Sequence, residues 1–347
     1  MKKFNVTLSQ SGRVFEVNEG ESVLSAALRQ GVMLPYSCKN GTCGSCKAVI
    51  ESGEVHYPFH PPLALSRPEI ADGYALLCQA EPLEDLRADA REIEAVRDIP
   101  VRMFPARVIE TEQLAPHVMK LTLKLPRAQR LQFLAGQYVD VLLPGGKRRA
   151  FSIASAPQRE DEIELHIRHV EGGDFTGWVF EELKLRDILR LEGPLGNFFI
   201  RNEHPDKPMI LMAGGTGFAP LKSMVEDLQS QGDQRSIHLF WGAQSAAELY
   251  MEDLPLAWAE NHENLKYTGV VADDSGLERH QRGMVHEAVL SHYPDLSGFE
   301  LYMSGPPAMI DTARAAFFER GLPERCLYYD SFEFGIDVPV RILARPH

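Results

Sequence analysis

The stretch Cys38–Cys46, CKNGTCGSC, packs three of the chain's five cysteines and two glycines into nine positions. A fourth cysteine, Cys78, lies in YALLCQA, and the fifth, Cys326, stands in PERCLYYD. Cysteines so unevenly spaced do not make a secreted disulfide framework. At 347 residues the chain has room for two or three domains, each able to bury a core without covalent staples. The crowding therefore asks for a metal or redox explanation.

The spacing C-x4-C-x2-C, completed by a cysteine farther along, is the plant-type ligand pattern for a 2Fe-2S cluster, with Cys38, Cys43, Cys46 and Cys78 as the expected ligands. Gly41 and Gly44 supply the permissive backbone that tight wrapping requires. A structural zinc site is the alternative, but such sites usually pair two C-x2-C knuckles and only one is present. Cys326 is expected as a small buried apolar residue. Around the cluster loop, FNVTLSQ and RVFEV alternate like two strands about the turn SG, SVLSAALRQ reads as a helix stopped by Gly31, and KAVIESGEV resumes extended structure. A small sheet packed on one helix is expected over residues 1–90. ADAREIEAVRDIP then turns charged and loses periodicity, which reads as a linker over 91–100.

Residues 101–202 hold six short alternating runs, ARVIETE, VMKLTLKL, QYVDVLL, RAFSIAS, EIELHIRHV and ILRLEGPLG, and predict a closed antiparallel barrel of six strands. Over 203–335 the strands PMILMAG, IHLFWGA, LKYTGVV and FELYMSG alternate with helical stretches, which predicts a parallel sheet whose ligands sit at the carboxyl ends of its strands. Residues 336–347 read as a tail. The formal net charge of −13 argues against a nucleic-acid partner. The start lacks the apolar stretch of a signal peptide and no run is long enough to span a bilayer, so a cytoplasmic protein with no membrane association is expected.

Four short motifs carry the chemistry. RRAFSIAS sets Arg149 and Phe151 on one face of a strand, a geometry suited to a flat anionic cofactor, with the Ser152 hydroxyl in reach of a ring nitrogen. In HVEGGDFTGWVF, Gly172 and Gly173 precede a helix start where Thr176 and backbone amides meet a phosphate oxygen. ILMAGGTGFAPLKSM puts Gly214, Gly215, Thr216 and Gly217 between a strand and a helix that has Pro220 in its first turn. Such a glycine-rich strand-to-helix turn suits a dinucleotide pyrophosphate, although it lacks the G-x-G-x-x-G fingerprint and could equally be a plain turn. YMSGPPAMI gives a second such turn, where Ser304 and Gly305 could face a nicotinamide, although as a bare motif SGPP is equally a plain loop.

These blocks, in this order, resemble flavin-dependent reductases of the ferredoxin-NADP reductase type that carry an N-terminal plant-type ferredoxin domain. The resemblance rests on CKNGTCGSC, RAFS, GGDFT, GGTGFAP and SGPPAM and covers nearly the whole chain. It implies a multidomain α+β and α/β protein: a β-grasp ferredoxin domain, a six-stranded FAD barrel and a parallel-sheet nucleotide-binding domain. It further implies that Arg149, Phe151, Ser152, Gly173 and Thr176 bind FAD. Ile153, His166, Arg168 and Gly172 join the cofactor contacts, and Gly214, Gly215, Thr216, Gly217, Pro220, Gln244, Gly305, Pro306 and Met309 bind NADH, with NADPH possible. Ser152, Ser304 and Phe332 would act at the reacting rings, with Phe332 rather than Phe334 stacking on the flavin because Asp330 then takes the family's acidic position. Many relatives carry a cysteine where this chain has Ser304. Electrons would pass from NADH to FAD, to the cluster, and to a redox partner protein docking near it. The expected partner is the oxygenase of a ring-hydroxylating dioxygenase or a multicomponent monooxygenase. The alternatives are the dehydrase step of 3,6-dideoxysugar synthesis, or free-flavin or quinone reduction. FWGAQSAAELYMEDL has no Lys or Arg near Gln244, which favours NADH unless a cation such as Lys222 or Arg282 reaches a 2'-phosphate from elsewhere.

Overall fold

The computed structural model describes residues 2–332 apart from 37, 38, 40, 43, 59, 60, 97, 98, 127–129, 160 and 274–277. Two of the expected cluster ligands, Cys38 and Cys43, and Phe334 lie outside the described residues. The chain packs as two units, Met1–Pro100 and Val101–His347.

In the first unit, β1 (Lys3–Leu8) and β2 (Val14–Asn18) form a hairpin whose alternation sends Phe4, Val6, Leu8, Phe15 and Val17 inward. Helix α1 (Val23–Arg29) starts where the Ser22 hydroxyl accepts the Ser25 N–H, and it buries Val23, Leu24, Ala26 and Ala27. β3 (Lys47–Ser52), β4 (Val55–His56), α2 (Arg67–Ala71), β5 (Tyr74–Leu76), β6 (Glu81–Pro82) and β7 (Leu86–Asp89) follow. The main sheet has the order β2-β1-β7-β3-β5, with β7 inserted parallel to β1. The stretch expected as a linker is anchored at its start. Glu92 pairs with Arg13, the Ile93 N–H donates to the Met33 carbonyl at 2.7 Å, and Val96 is 1% exposed. Single apolar anchors between charges gave this stretch no period to read.

The second unit opens with β8 (Arg102–Ala115), β9 (Val118–Lys124), β10 (Tyr138–Leu142), β11 (Arg148–Ser152), β12 (Glu162–Arg168), helix α3 (Asp174–Glu181) and β13 (Ile188–Leu195). The antiparallel order β11-β10-β13-β8-β9-β12 closes through a bridge between Ile153 and Leu165, giving the expected six-stranded barrel. Val108, Leu121, Val139, Ile163, Leu165 and Leu191 fill it.

Six parallel strands follow: β14 (Met209–Gly214), β15 (Ile237–Ala243), β16 (Leu265–Val271), β17 (Gln281–Arg282), β18 (Glu300–Gly305) and β19 (Leu327–Ser331), in the order β17-β16-β15-β14-β18-β19. Helices α4 (Phe218–Gln231), α5 (Asp253–Asn261), α6 (Val285–His292) and α7 (Pro307–Glu319) cover its faces. The two strands that the sequence did not show are the edges, β17 and β19, the latter formed by LYYDS. Among the described residues no helix is long and apolar enough to cross a membrane.

The core holds neutral histidines, which gives stability a pH dependence. His238 on β15 is 6% exposed between the Tyr293 hydroxyl (2.8 Å) and Thr268 Oγ1 (2.9 Å). Burial, helped by the charges of His292 and Lys266, pushes its pKa down to about 3. His166, also buried, is lowered for the same first reason. A histidine whose folded pKa lies below its unfolded value stabilises fully above the unfolded pKa of about 6.5 and less as pH falls below it. Protonation of His238 is expected to cost about 2 kcal/mol at pH 5 relative to pH 8, with His166 acting in the same direction. Urea midpoints measured across that range should fall steadily below pH 6.5; a flat profile would contradict the burial of these rings as neutral groups.

Candidate functional site

In the first unit, Cys46 and Cys78 are 4% and 6% exposed, and the Cys46 carbonyl accepts the Leu77 N–H at 3.1 Å. Gly41 holds φ at +85°, and a Cβ there would come within 2.8 Å of the Pro62 side chain, so only glycine fits. The Gly41 carbonyl accepts the Ala64 N–H at 3.1 Å, and Gln79 Nε2 donates to the Lys39 carbonyl at 2.8 Å. The loop between the cysteines is thus gripped from Pro62–Ala64 on one side and Gln79 on the other. The Tyr57 hydroxyl accepts the Leu76 N–H at 3.2 Å, and its pKa is raised, first by burial and then by the nearby Cys46 and Cys78. Two buried thiols on a loop clamped around a glycine fit a 2Fe-2S cluster in donor chemistry and in shelter from water.

In the barrel, Arg149 and Phe151 lie on the half-buried face of β11, as expected, and Phe151 packs on Phe175 of α3 with ring centroids 5.5 Å apart. Ser152 is 9% exposed and its Oγ donates to Asp330 Oδ2 at 3.3 Å. Gly172 and Gly173 lead into α3, as expected. The Thr176 hydroxyl is not aimed outward. It accepts the Val170 N–H at 3.1 Å and lies 3.2 and 3.3 Å from the Val170 and Gly173 carbonyls, so it braces the loop that leads into α3. Two other residues expected at the cofactor are packed inside the second unit. Ile153 is wholly inside the barrel, leaving only its backbone for a cofactor. His166 is buried with both ring nitrogens engaged, by Glu164 at 2.7 Å and by Tyr250 at 2.9 Å.

The glycine turn after β14 meets the turn after β18. A Cβ on Gly214 would lie 2.5 Å from the Met309 sulfur and 3.1 Å from Pro306, and one on Gly217 would lie 2.0 Å from the Ser304 carbonyl oxygen. Pro220 is buried in the first turn of α4. Trp241 Nε1 donates to the Gly215 carbonyl at 2.9 Å, and the Trp241 ring stacks on Phe218 at 3.9 Å. Ser304 stands beside Asp330 in the sheet register, and the Phe332 N–H donates to the Gly305 carbonyl at 2.9 Å. Ser152, Ser304, Asp330 and Phe332 are thereby gathered where the barrel edge meets the carboxyl ends of the strands. Ser304 Oγ is fully buried there and has no hydrogen-bond partner among the described residues. A buried hydroxyl left unpaired beside a tight glycine turn fits a site completed by a polar ligand. Next to it, a cleft of about 220 Å³ is lined by Arg168, Gly215, Thr216, Ser245, Glu248 and Tyr250. Gln244 is exposed at the end of β15, where its carbonyl accepts the Asp273 N–H at 3.1 Å. Tyr250 and Asp273 escaped the sequence reading, because an aromatic and an acid in separate loops carry no spacing signal.

Family models match the chain in three consecutive pieces: a 2Fe-2S iron-sulfur cluster binding domain over 6–83, an oxidoreductase FAD-binding domain over 105–200 and an oxidoreductase NAD-binding domain over 211–315. The chain is 40% identical over 328 residues to the CDP-6-deoxy-L-threo-D-glycero-4-hexulose-3-dehydrase reductase of Yersinia pestis, covering 94% of this chain and 98% of the relative. It is also 40% identical over 341 residues to the phenol 2-monooxygenase reductase component DmpP of a Pseudomonas species, covering 96% of each. The crystal structure of the Amycolatopsis cytochrome P450 reductase GcoB superposes with a TM-score of 0.80 at 34% identity, covering 95% of this chain and 98% of that one. The chain is an NAD(P)H-dependent oxidoreductase that uses FAD and a 2Fe-2S cluster to transfer electrons. It belongs to the flavin-dependent reductases of the ferredoxin-NADP reductase type with an N-terminal plant-type ferredoxin domain.

Proposed function

We propose that this chain is the cytoplasmic reductase component of an oxygenase system, taking electrons from NADH and delivering them singly to a partner protein that docks near the cluster. When bound, FAD accepts two electrons as hydride and releases them one at a time, as a one-electron 2Fe-2S acceptor demands. The chain's residues supply the rest. Arg149 offers a guanidinium to the FAD pyrophosphate, and Phe151 offers a ring face. Ser152, held by Asp330, presents its hydroxyl at the barrel edge. Ser304 supplies a buried hydroxyl to the nicotinamide, and its unpaired state is the observation that carries the assignment. The oxygenase reading draws on DmpP and GcoB. The dehydrase reductase, equally identical, keeps the sugar-dehydrase partner as the second reading. Coupled assays with the purified phenol 2-monooxygenase oxygenase and with the hexulose dehydrase decide between them. NADH-dependent product formation with the oxygenase is expected, and turnover with the dehydrase alone would move the assignment.

NADH is the expected coenzyme. Lys222 cannot reach a 2'-phosphate, because it is 2% exposed and held between Glu164 and Glu226. Arg279 is held by Glu252 at 2.6 Å. Glu248 lines the cleft and Asp273 adjoins Gln244, two acids that would repel a 2'-phosphate there, while Arg168 lines the same cleft at its Gly215 end. Wild-type kcat/KM should favour NADH over NADPH. Gln244→Arg should improve NADPH through a charge-assisted contact of about 1.5 to 3 kcal/mol, or roughly 10- to 100-fold. A wild-type preference for NADPH would point to Arg282 and contradict the reading.

A further inference from the structure

Behind the coenzyme cleft runs a buried polar chain that includes His166, one of the residues expected at a cofactor. Glu164 and His166 on β12 and Lys222 on α4 are 7%, 5% and 2% exposed, and they belong to different lobes of the second unit. Lys222 Nζ lies 3.3 Å from Glu164 Oε1 and 2.9 Å from Glu226 Oε1, and it donates to the Ala154 carbonyl at 3.2 Å. His166 Nε2 lies 2.7 Å from the same Glu164 oxygen, and His166 Nδ1 lies 2.9 Å from the Tyr250 hydroxyl. Burial opposes the charge on Glu164, but the His166 hydrogen bond and the Lys222 charge outweigh it and hold the carboxyl at about 2.

That charge fixes every proton in the row. A carboxylate can only accept, so Nε2 of His166 carries a hydrogen, and in the neutral ring that burial favours Nδ1 keeps a lone pair. Tyr250 must therefore donate to Nδ1. Its hydroxyl is held from behind while its ring lines the cleft with Arg168, Gly215 and Thr216 and stands edge-on to Trp241 at 5.0 Å. Tyr250 also ends the loop that carries Gln244, Ser245 and Glu248. The lobes have independent ties, since Ser223 Oγ donates to the Ser155 carbonyl at 2.7 Å and Gln158 Nε2 to Asp227 at 2.6 Å. Loss of the Tyr250 hydroxyl should thus disturb the cleft wall without parting the lobes.

We propose that Tyr250 is a positioning residue for the nicotinamide dinucleotide, its ring set by a relay from Lys222 through Glu164 and His166. Glu164, remote from the cleft lining, thereby tunes coenzyme affinity. The inference rests on the reading that this cleft takes the coenzyme. The test uses FAD-loaded protein, with NADH kinetics against ferricyanide and titration with NAD+. In Tyr250→Phe, KM for NADH and Kd for NAD+ should both rise about five- to tenfold, with kcat within about twofold. Glu164→Gln should show the same split, and the double variant should be no worse than the weaker-binding single variant. Should Glu164→Gln not fold, Tyr250→Phe decides alone. Wild-type protein that reduces no ferricyanide with NADH would remove the electron-transfer reading itself. Wild-type activity with KM and Kd unmoved in the variants, whatever happens to Tm, overturns the relay.

Discussion

Cys78→Ala is expected to keep NADH-driven ferricyanide reduction near the wild-type rate while electron delivery to a one-electron protein acceptor such as cytochrome c falls to background. Cys78 is buried two residues past β5, close to the Tyr57 hydroxyl that also senses Cys46, and alanine offers no thiolate in its place. The first unit should lose its iron and visible absorbance. The second unit has its own cores and its own barrel–sheet junction, so its chemistry with a small oxidant needs nothing from Cys78. A variant that still reduces cytochrome c at the wild-type rate would show that electrons bypass the cluster.

Gly217→Ala should be the most damaging single methyl in the second unit. The new carbon would sit 2.0 Å from the Ser304 carbonyl oxygen, 2.5 Å from its carbon and 3.0 Å from the Gly305 nitrogen. Those are backbone atoms at the end of β18, a strand buried along its whole length, so no side chain can swing aside. Overpacking of this kind costs about 1–3 kcal/mol and more where backbone must move. Tm should fall by roughly 5–10 °C, and NADH turnover should fall with it because Ser304 is displaced. Gly177→Ala is the control: nothing lies within 4 Å of its would-be Cβ, and inside α3 alanine should be neutral or slightly stabilising. Equal stability of the two variants would contradict the packing of the glycine turn against Ser304.

The parts of the molecule that were legible in the sequence are those fixed by spacing or by strict alternation. The cysteine pattern, the hairpin of β1 and β2, and the six barrel runs are of this kind. β12 shows where such reading stops. Its sequence, EIELHIR, alternates like a strand with one wet face, yet Glu164 and His166 are as buried as their apolar neighbours because α4 covers them with Lys222. A pattern of polar and apolar residues cannot distinguish water from a buried counter-charge. The resemblance put His166 at a cofactor, and nothing in the sequence showed that its ring nitrogens face Glu164 and Tyr250. Lys222, a candidate cation for a phosphate, is spent on the same row. Thr176 followed the helix-start pattern, but its hydroxyl closes its own loop. β19 was missed because LYYDS has one buried residue followed by four half-buried ones and so shows no alternation.

Anaerobic titration with NADH, followed by visible absorption and low-temperature EPR, tests the central claim most directly. The account predicts a brown protein with one FAD and one 2Fe-2S cluster per chain. Flavin absorbance should bleach, the EPR signal of a reduced 2Fe-2S cluster should appear, and reduction should be complete at about 1.5 equivalents of NADH, because the flavin takes two electrons and the cluster one. A colourless zinc protein, or a flavin that bleaches fully while the cluster stays oxidised, would contradict it.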